Sequence, residues 1–490
     1  MSRSIAAAML GATLTLPGLA QANDLIELYR VAQQQDMTLQ AALFQRAAAI
    51  EAKPQALSYL LPQLSATGTY ERDRQHDLTG SSLSSLGGTG GGSTGGTTGG
   101  TTAGTTGGTV VIADQTNTSY YNTKSYALTL SQALFDWSAF QTVSQASSQV
   151  AEAEATYRSA EQSLLYRVAD AYFNVLFAQD TLQADLDARN SFQQQFQQAQ
   201  KKFEVGLAAI TDVRNAQASL DTAAATVIAD QRALDSAKRS LGQIVGKPVP
   251  LIAGLQDDIP LAAPDPLSED QWVSAALQDN PDLMTSFQTA EAARKNIEVY
   301  RGQYLPTLSL QGSVGRRISD YAIESDTIDD AIGLQLNWNI FQGGLVASQI
   351  RQARATYLQS QAQYQGERRV VDQGARDAYE QVISGIASVK ANKQAVISNQ
   401  TSLEASQVGL RVGTRTEVDV LTARQALATA QRTYYQARYD YLRGVLSLKQ
   451  QAGRLIENDL AAIDQLLQAV AQPAPSIEPV AQPPVVSPAP

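Results

Sequence analysis

Two periodicities alternate along this chain, and each occurs twice. In residues 125–134, Tyr126, Leu128 and Leu130 alternate with Ser125, Ala127, Thr129 and Ser131. In residues 331–340, Ile332, Leu334, Leu336, Trp338 and Ile340 alternate with Gly333, Gln335, Asn337 and Asn339. Period two gives a strand one apolar and one polar face. Weaker runs of the same kind follow two prolines: Leu64, Ala66, Gly68 and Tyr70, then Leu308, Leu310 and Val314. Each run is about ten residues, enough to cross a bilayer when tilted. Tyr70, Tyr120, Tyr121, Tyr126, Phe135, Tyr304, Trp338 and Phe341 lie towards the run ends, where interfacial aromatic girdles sit. A soluble sandwich shows the same alternation, but four strands cannot bury both faces of a sheet, and little else here has strand character.

Between the strand runs the period changes to that of a helix. Residues 135–205 contain no Gly or Pro, and a continuous helix of that length would extend roughly 100 Å. Residues 345–408 repeat the pattern with scattered glycines. Each run ends at Val-Gly, at Gly206 and Gly413, where glycine suits the left-handed position after a helix. Return helices are expected over residues 211–245 and 414–452, the second opened by a capping box of Thr414 and Glu417. Tyr157, Leu164, Leu165 and Val168 recur at helical spacing, as do Leu421, Leu427 and Tyr434; such stripes are packing seams.

The plan is duplicated. Phe135 recurs as Phe341, Asp170-Ala171-Tyr172 as Asp377-Ala378-Tyr379, and Asp212-Val213 as Asp419-Val420, each 206 or 207 residues later. Leu61-Pro62 recurs as Leu305-Pro306, 244 residues later. The excess in the first half is residues 80–108, almost wholly Gly, Ser and Thr; with little to bury, this tract is expected to be a flexible hairpin loop. The expected organisation is a signal peptide over residues 1–22 and a first repeat over 23–246. A Pro-rich connector over 247–266 leads to a second repeat over 267–453. A C-terminal segment over 454–490 ends in a Pro-rich, disordered tail. The signal reading rests on Arg3, the apolar run of residues 5–16 and the small-x-small pattern Ala20-Gln21-Ala22.

Composition narrows the function classes. The 490 residues carry a net charge of −10, no cysteine and one histidine. With no basic cluster, nucleic acid is not an expected partner. Without cysteine there is neither a lipid-anchored N-terminal Cys nor a disulfide. His76 stands alone beside the Gly-rich tract, and there is no phosphate loop or metal-ligand spacing, so neither an enzyme nor a cofactor is expected. Two readings remain: an outer-membrane channel, or a periplasmic coiled-coil structural or adaptor protein. The second explains the helices but not the strands.

Short motifs favour the first reading. Ala171-Tyr172-Phe173-Asn174-Val175-Leu176, Phe203-Glu204-Val205-Gly206-Leu207 with Ile210-Thr211-Asp212-Val213, and Val412-Gly413-Thr414-Arg415-Thr416 with Val418-Asp419-Val420-Leu421 resemble the TolC family of outer-membrane efflux proteins. The resemblance runs from about Asp24 to Gly453. It implies an α+β membrane protein, a homotrimer in which each chain gives four strands to a 12-stranded barrel in outer-membrane lipid, continuous with a long periplasmic helical barrel. It implies an exit duct for efflux or type I secretion, working with a periplasmic membrane-fusion adaptor and an inner-membrane transporter. It also places a gate at the two Val-Gly turns. Arg415 would bond to the Asp212 and Thr211 region and hold the coils shut, and Asp419 would face the bore as one of three symmetry-related carboxylates. The chain departs from the family at Thr422, where a second Asp ring is expected, and at Leu410, where a restraining Tyr is expected.

Overall fold

The computed structural model describes residues 24–77, 117–249, 252–256, 258–320 and 325–468. The signal reading, the Gly/Ser/Thr tract and the Pro-rich tail lie outside them. The order of elements is α1 (Leu25–Gln35), α2 (Met37–Ile50), α3 (Ala52–Ser58), β1 (Gln63–Asp77), β2 (Asn117–Phe135), α4 (Trp137–Glu204) and α5 (Ile210–Val245). There follow β3 (Gly254–Leu255), α6 (Glu269–Asp279), α7 (Pro281–Gly302), β4 (Thr307–Ser319), β5 (Ser325–Asn337), α8 (Leu345–Arg411), α9 (Glu417–Gln451), α10 (Glu457–Asp464) and β6 (Leu467–Gln468). The chain forms two compact units. One comprises residues 54–143 and 297–350; the other comprises residues 1–53, 144–296 and 351–490.

The first unit holds an antiparallel sheet in the order β1-β2-β4-β5. Its strands have 15, 19, 13 and 13 residues, longer than the alternating runs alone predict. The hydrogen-bond ladder continues past the last apolar residue, through Glu71↔Thr123 to Asp77↔Asn117. Alternation needs burial to show itself, and on β1 this extension is polar on both faces. On β5 the apolar positions Ile328, Ile332, Leu334 and Leu336 are 66–81% exposed in the single chain. An uncovered row of that size needs a cover. Among the described residues no helix is long and apolar enough to cross a membrane.

The second unit is helical, and its core contains the first predicted stripe, whereas Leu421 and Leu427 of the second lie outside it. Leu164, Leu165 and Val168 of α4 are buried with Tyr172, Phe173 and Leu176, against Leu241 and Val245 of α5 and Tyr439 and Leu446 of α9. Tyr157 and Tyr434 are half-buried against the same cluster.

The stretch between the halves is not a loose connector. Ile252, Ala253 and Ile259 are buried, and Gly254–Leu255 pairs with Leu467–Gln468. Tyr172 donates its hydroxyl to Ala253 O at 2.8 Å, and Tyr441 donates to Ala262 O at 2.9 Å. Arg438, almost wholly buried, donates to Gln256 O. These bonds satisfy backbone carbonyls that a buried loop would otherwise leave unpaired. The C-terminal segment is tied down as well. The Asp464 carboxylate accepts from Leu25 N and Ile26 N at 2.8 and 2.9 Å, and so satisfies orphan donors at the start of α1.

Candidate functional site

Both Val-Gly turns lie in the helical unit, and both are built the same way. Gly206 and Gly413 have φ of 77° and 80°, a conformation that costs a residue with a Cβ. Leu207 N donates to Lys202 O at 2.7 Å and Gly206 N to Phe203 O at 2.9 Å. In the second turn Thr414 N donates to Gly409 O at 2.9 Å and Gly413 N to Leu410 O at 3.3 Å. Each pattern is a Schellman closure. Gly409 has a further role: a Cβ there would lie 2.6 Å from Cγ of Arg415, so its bare Cα gives the Arg415 stem room to fold back over α8.

The caps of the return helices differ from expectation. α9 is capped by Thr416 and Asp419, not by Thr414 and Glu417. Asp419 N donates to Thr416 Oγ1 at 3.2 Å, and Asp419 Oδ2 accepts from Thr416 N at 2.8 Å and from Thr416 Oγ1 at 2.9 Å. Thr414 is consumed by the Schellman closure, which delays the helix start by two residues. Asp212 holds the equivalent place in α5, where its Oδ2 accepts from Ala209 N at 3.4 Å. Ala209 has no hydroxyl to return the bond, so Asp212 is the less tightly held carboxylate.

The expected gate residues fall into two groups. Asp419 and Arg415 are close, with Arg415 Nη1 4.0 Å from Asp419 Oδ1. Hydrogen bonds from Thr416 hold the Asp419 carboxyl below its ordinary range, with Arg415 adding to the effect. Thr211 and Asp212 sit in the first turn of α5. Among the described residues, no ion pair joins Arg415 to Asp212 within one chain. Thr422 bonds back to Val418 O at 2.8 Å.

A contact invisible in the sequence joins the two turns. Lys202 of α4 lies 3.9 Å from Glu417 of α9, and the Glu417 side chain is only 8% exposed. The pair borders a cavity of about 410 Å³ lined also by Leu207, Asp212, Leu410 and Thr416. Burial pushes the Glu417 carboxyl up, Lys202 opposes that shift, and Asp212 adds to it. Leu410 supplies no hydroxyl to this space, and Glu417 lines it. Nothing in the spacing of Glu417 announces this inward turn; only its equal distance from Gly413 as Lys202 from Gly206 hints at it.

Residues 28–247 and 272–454 match the outer membrane efflux protein family. The chain belongs to that family. It is 30% identical over 462 residues to the outer membrane protein TolC of Escherichia coli (strain K12), covering 92% of this chain and 86% of TolC. It is 32% identical over 356 residues to the alkaline protease secretion protein AprF of Pseudomonas aeruginosa, covering 71% of this chain and 73% of AprF. In fold it is similar to the Campylobacter jejuni CmeC outer membrane channel, with a TM-score of 0.71 and 17% identity over 95% of this chain and 98% of that one. The outer membrane protein VceC from Vibrio cholerae gives 0.69 and 19% over 88% and 96%. Family membership places the chain in the outer membrane as an exit duct for efflux or type I secretion and sets aside the periplasmic adaptor reading.

Proposed function

We propose that the chain acts as a homotrimer whose three sheets close one 12-stranded barrel in outer-membrane lipid, continuous with a periplasmic helical tunnel. The observation that carries this is the open sheet. Its four strands leave β1 and β5 as edges, and β5 carries the uncovered apolar row. Open edges are not viable in lipid, and only closure removes them. Helix, strand pair, long helix and return helix occur in that order in each half, which supports duplication of one unit. In this reading the duct takes its cargo passively from an inner-membrane transporter through a periplasmic adaptor, as the efflux and secretion roles of its relatives suggest. Native mass measurement in detergent is expected to give three chains; a stable monomer overturns both barrel and tunnel.

The mouth of that tunnel is formed by the two turns, with Asp419, Arg415, Asp212 and Thr211 as its gate. Three Asp419 carboxylates around one axis favour cations. Because Asp419 also caps α9, Asp419→Asn is the informative change: the amide oxygen retains the capping bond and loses the charge. Single-channel recordings are expected to show reduced cation selectivity and weaker block by multivalent cations from the periplasmic side. Unchanged selectivity would leave Asp419 as a helix cap alone. Since its carboxyl sits below the ordinary range, it stays ionised as pH falls through the ordinary carboxylate pKa.

A further inference from the structure

About 20 residues from each turn, roughly 30 Å along the helices, a second charged cluster joins the coils. Arg432 of α9 donates Nε to Asp185 Oδ1 of α4 at 3.1 Å and Nη2 to Asp185 Oδ2. Asp185 is 3% exposed. Asp230 of α5 neighbours the same carboxylate, close enough to hydrogen-bond to it once protonated. The charged groups facing Asp230 are therefore Asp185 from α4 and Arg432 from α9. The guanidinium bonds only one of the two carboxylates, and the Oδ2 atom of Asp230 is buried with no partner. With both acids ionised the cluster carries a buried excess negative charge, which is costly. A proton on Asp230 removes the excess and lets that carboxyl donate to Asp185.

We propose that Asp185, Asp230 and Arg432 form a proton-dependent clasp that fastens α9 to the α4–α5 pair in acid and loosens as pH rises. The expected consequence for transport rests on the gating reading above: a loosened α9 lets the mouth open more easily. Burial, the hydrogen bond to Asp185 and the Asp185 charge push the Asp230 carboxyl from 3.8 up to about 7, with Arg432 opposing. The fastened form thus holds a proton between about 4 and 7 that a separated, solvated Asp230 would release. Fastening is strongest at the acid end of that window, is lost progressively as pH rises through it, and changes no further above about 7. Arg432 alone would make a permanent tie; the second carboxylate makes it adjustable.

The test uses the full-length trimer. The chain has no cysteine, so Gln183→Cys on α4 and Thr433→Cys on α9, both exposed, accept spin labels without background. At constant ionic strength the unclasped population is expected to rise about thirtyfold between pH 5.5 and pH 8. Open time in planar bilayers is expected to rise with it. Asp230→Asn keeps a donor towards Asp185 but cannot ionise, and is expected to hold the short distance at both pH values with the trimer intact. A distance that ignores pH, or a pH step that survives Asp230→Asn, overturns the clasp. A distance that widens with pH while conductance stays fixed supports the clasp and overturns the gating reading instead.

Discussion

Ile332→Arg is expected to abolish assembly in the outer membrane, whereas Gln335→Arg on the same strand is expected to be tolerated. Ile332 is the eighth residue of the 13-residue β5 and is 81% exposed in the single chain. It shares its face with Leu334 and Leu336, while Gln335 points the other way, beside Gln311 of β4. If the apolar row meets lipid, Ile332 lies near the middle of the hydrocarbon layer. Arg at the midplane of a β-barrel costs about 2–4 kcal/mol. The proposed homotrimer would carry the change three times, for a total of roughly 6–12 kcal/mol, comparable to the whole stability of many proteins. In the proposed barrel, Gln335→Arg places the same charge in a polar lumen, where the cost is small. The measurement is outer-membrane fractionation with detection of detergent-resistant trimers. Equal tolerance of both changes would mean that this face does not meet lipid; equal loss would mean that β5 tolerates no bulk on either face.

How much of this was legible in the sequence depends on where burial leaves a periodic mark. The long helices were readable because each run ends at a glycine that takes positive φ, Gly206 or Gly413, and the first run carries no Gly or Pro before it. The strands were readable where one face is apolar, as at Ile332 and Leu334, and not where both faces are polar, as from Glu71 to Asp77. The docked connector was hidden because its partners are distant. Tyr172, Tyr441 and Arg438 bond its carbonyls across roughly 80 to 180 residues of sequence, and no local pattern encodes a backbone acceptor. The cap at Thr416 was missed because two Thr-x-x-acid patterns overlap there, and only the Schellman closure decides which threonine is free. The clasp was invisible for a related reason: Asp185, Asp230 and Arg432 lie on three helices, and each alone reads as an ordinary solvated charge.

Arg415→Ser and Asp212→Asn are each expected to raise resting conductance of the trimer, on the order of 100-fold in open population. Within one chain Arg415 lies at the edge of ion-pair range from Asp419, at 4.0 Å, and its side chain is 60% exposed. The Asp419 carboxylate already accepts two hydrogen bonds from Thr416, both at Oδ2, so it competes less well for the guanidinium. Asp212 has a single long bond from Ala209 and keeps acceptor capacity. The less satisfied carboxylate is the better partner for an Arg415 reaching from a neighbouring coil, with Thr211 beside it to share the contact. A partly exposed pair is worth about 1 kcal/mol, and three of them, if independent, reach about 3 kcal/mol for the closed trimer. In the proposed gate, that is enough to close the mouth at rest yet lets a docking partner open it by binding the open state better. Asp212→Asn is chosen because its oxygen still caps α5. The double mutant is expected to open little further than either single change, since both remove the same bond. High salt is expected to shrink the effect, because exposed pairs are screened. Asp419→Asn provides the opposing control: it frees Arg415 for Asp212 and is expected to leave resting conductance low while it changes selectivity. Unchanged conductance in both single mutants would show that another contact, such as Lys202 with Glu417, holds the mouth shut.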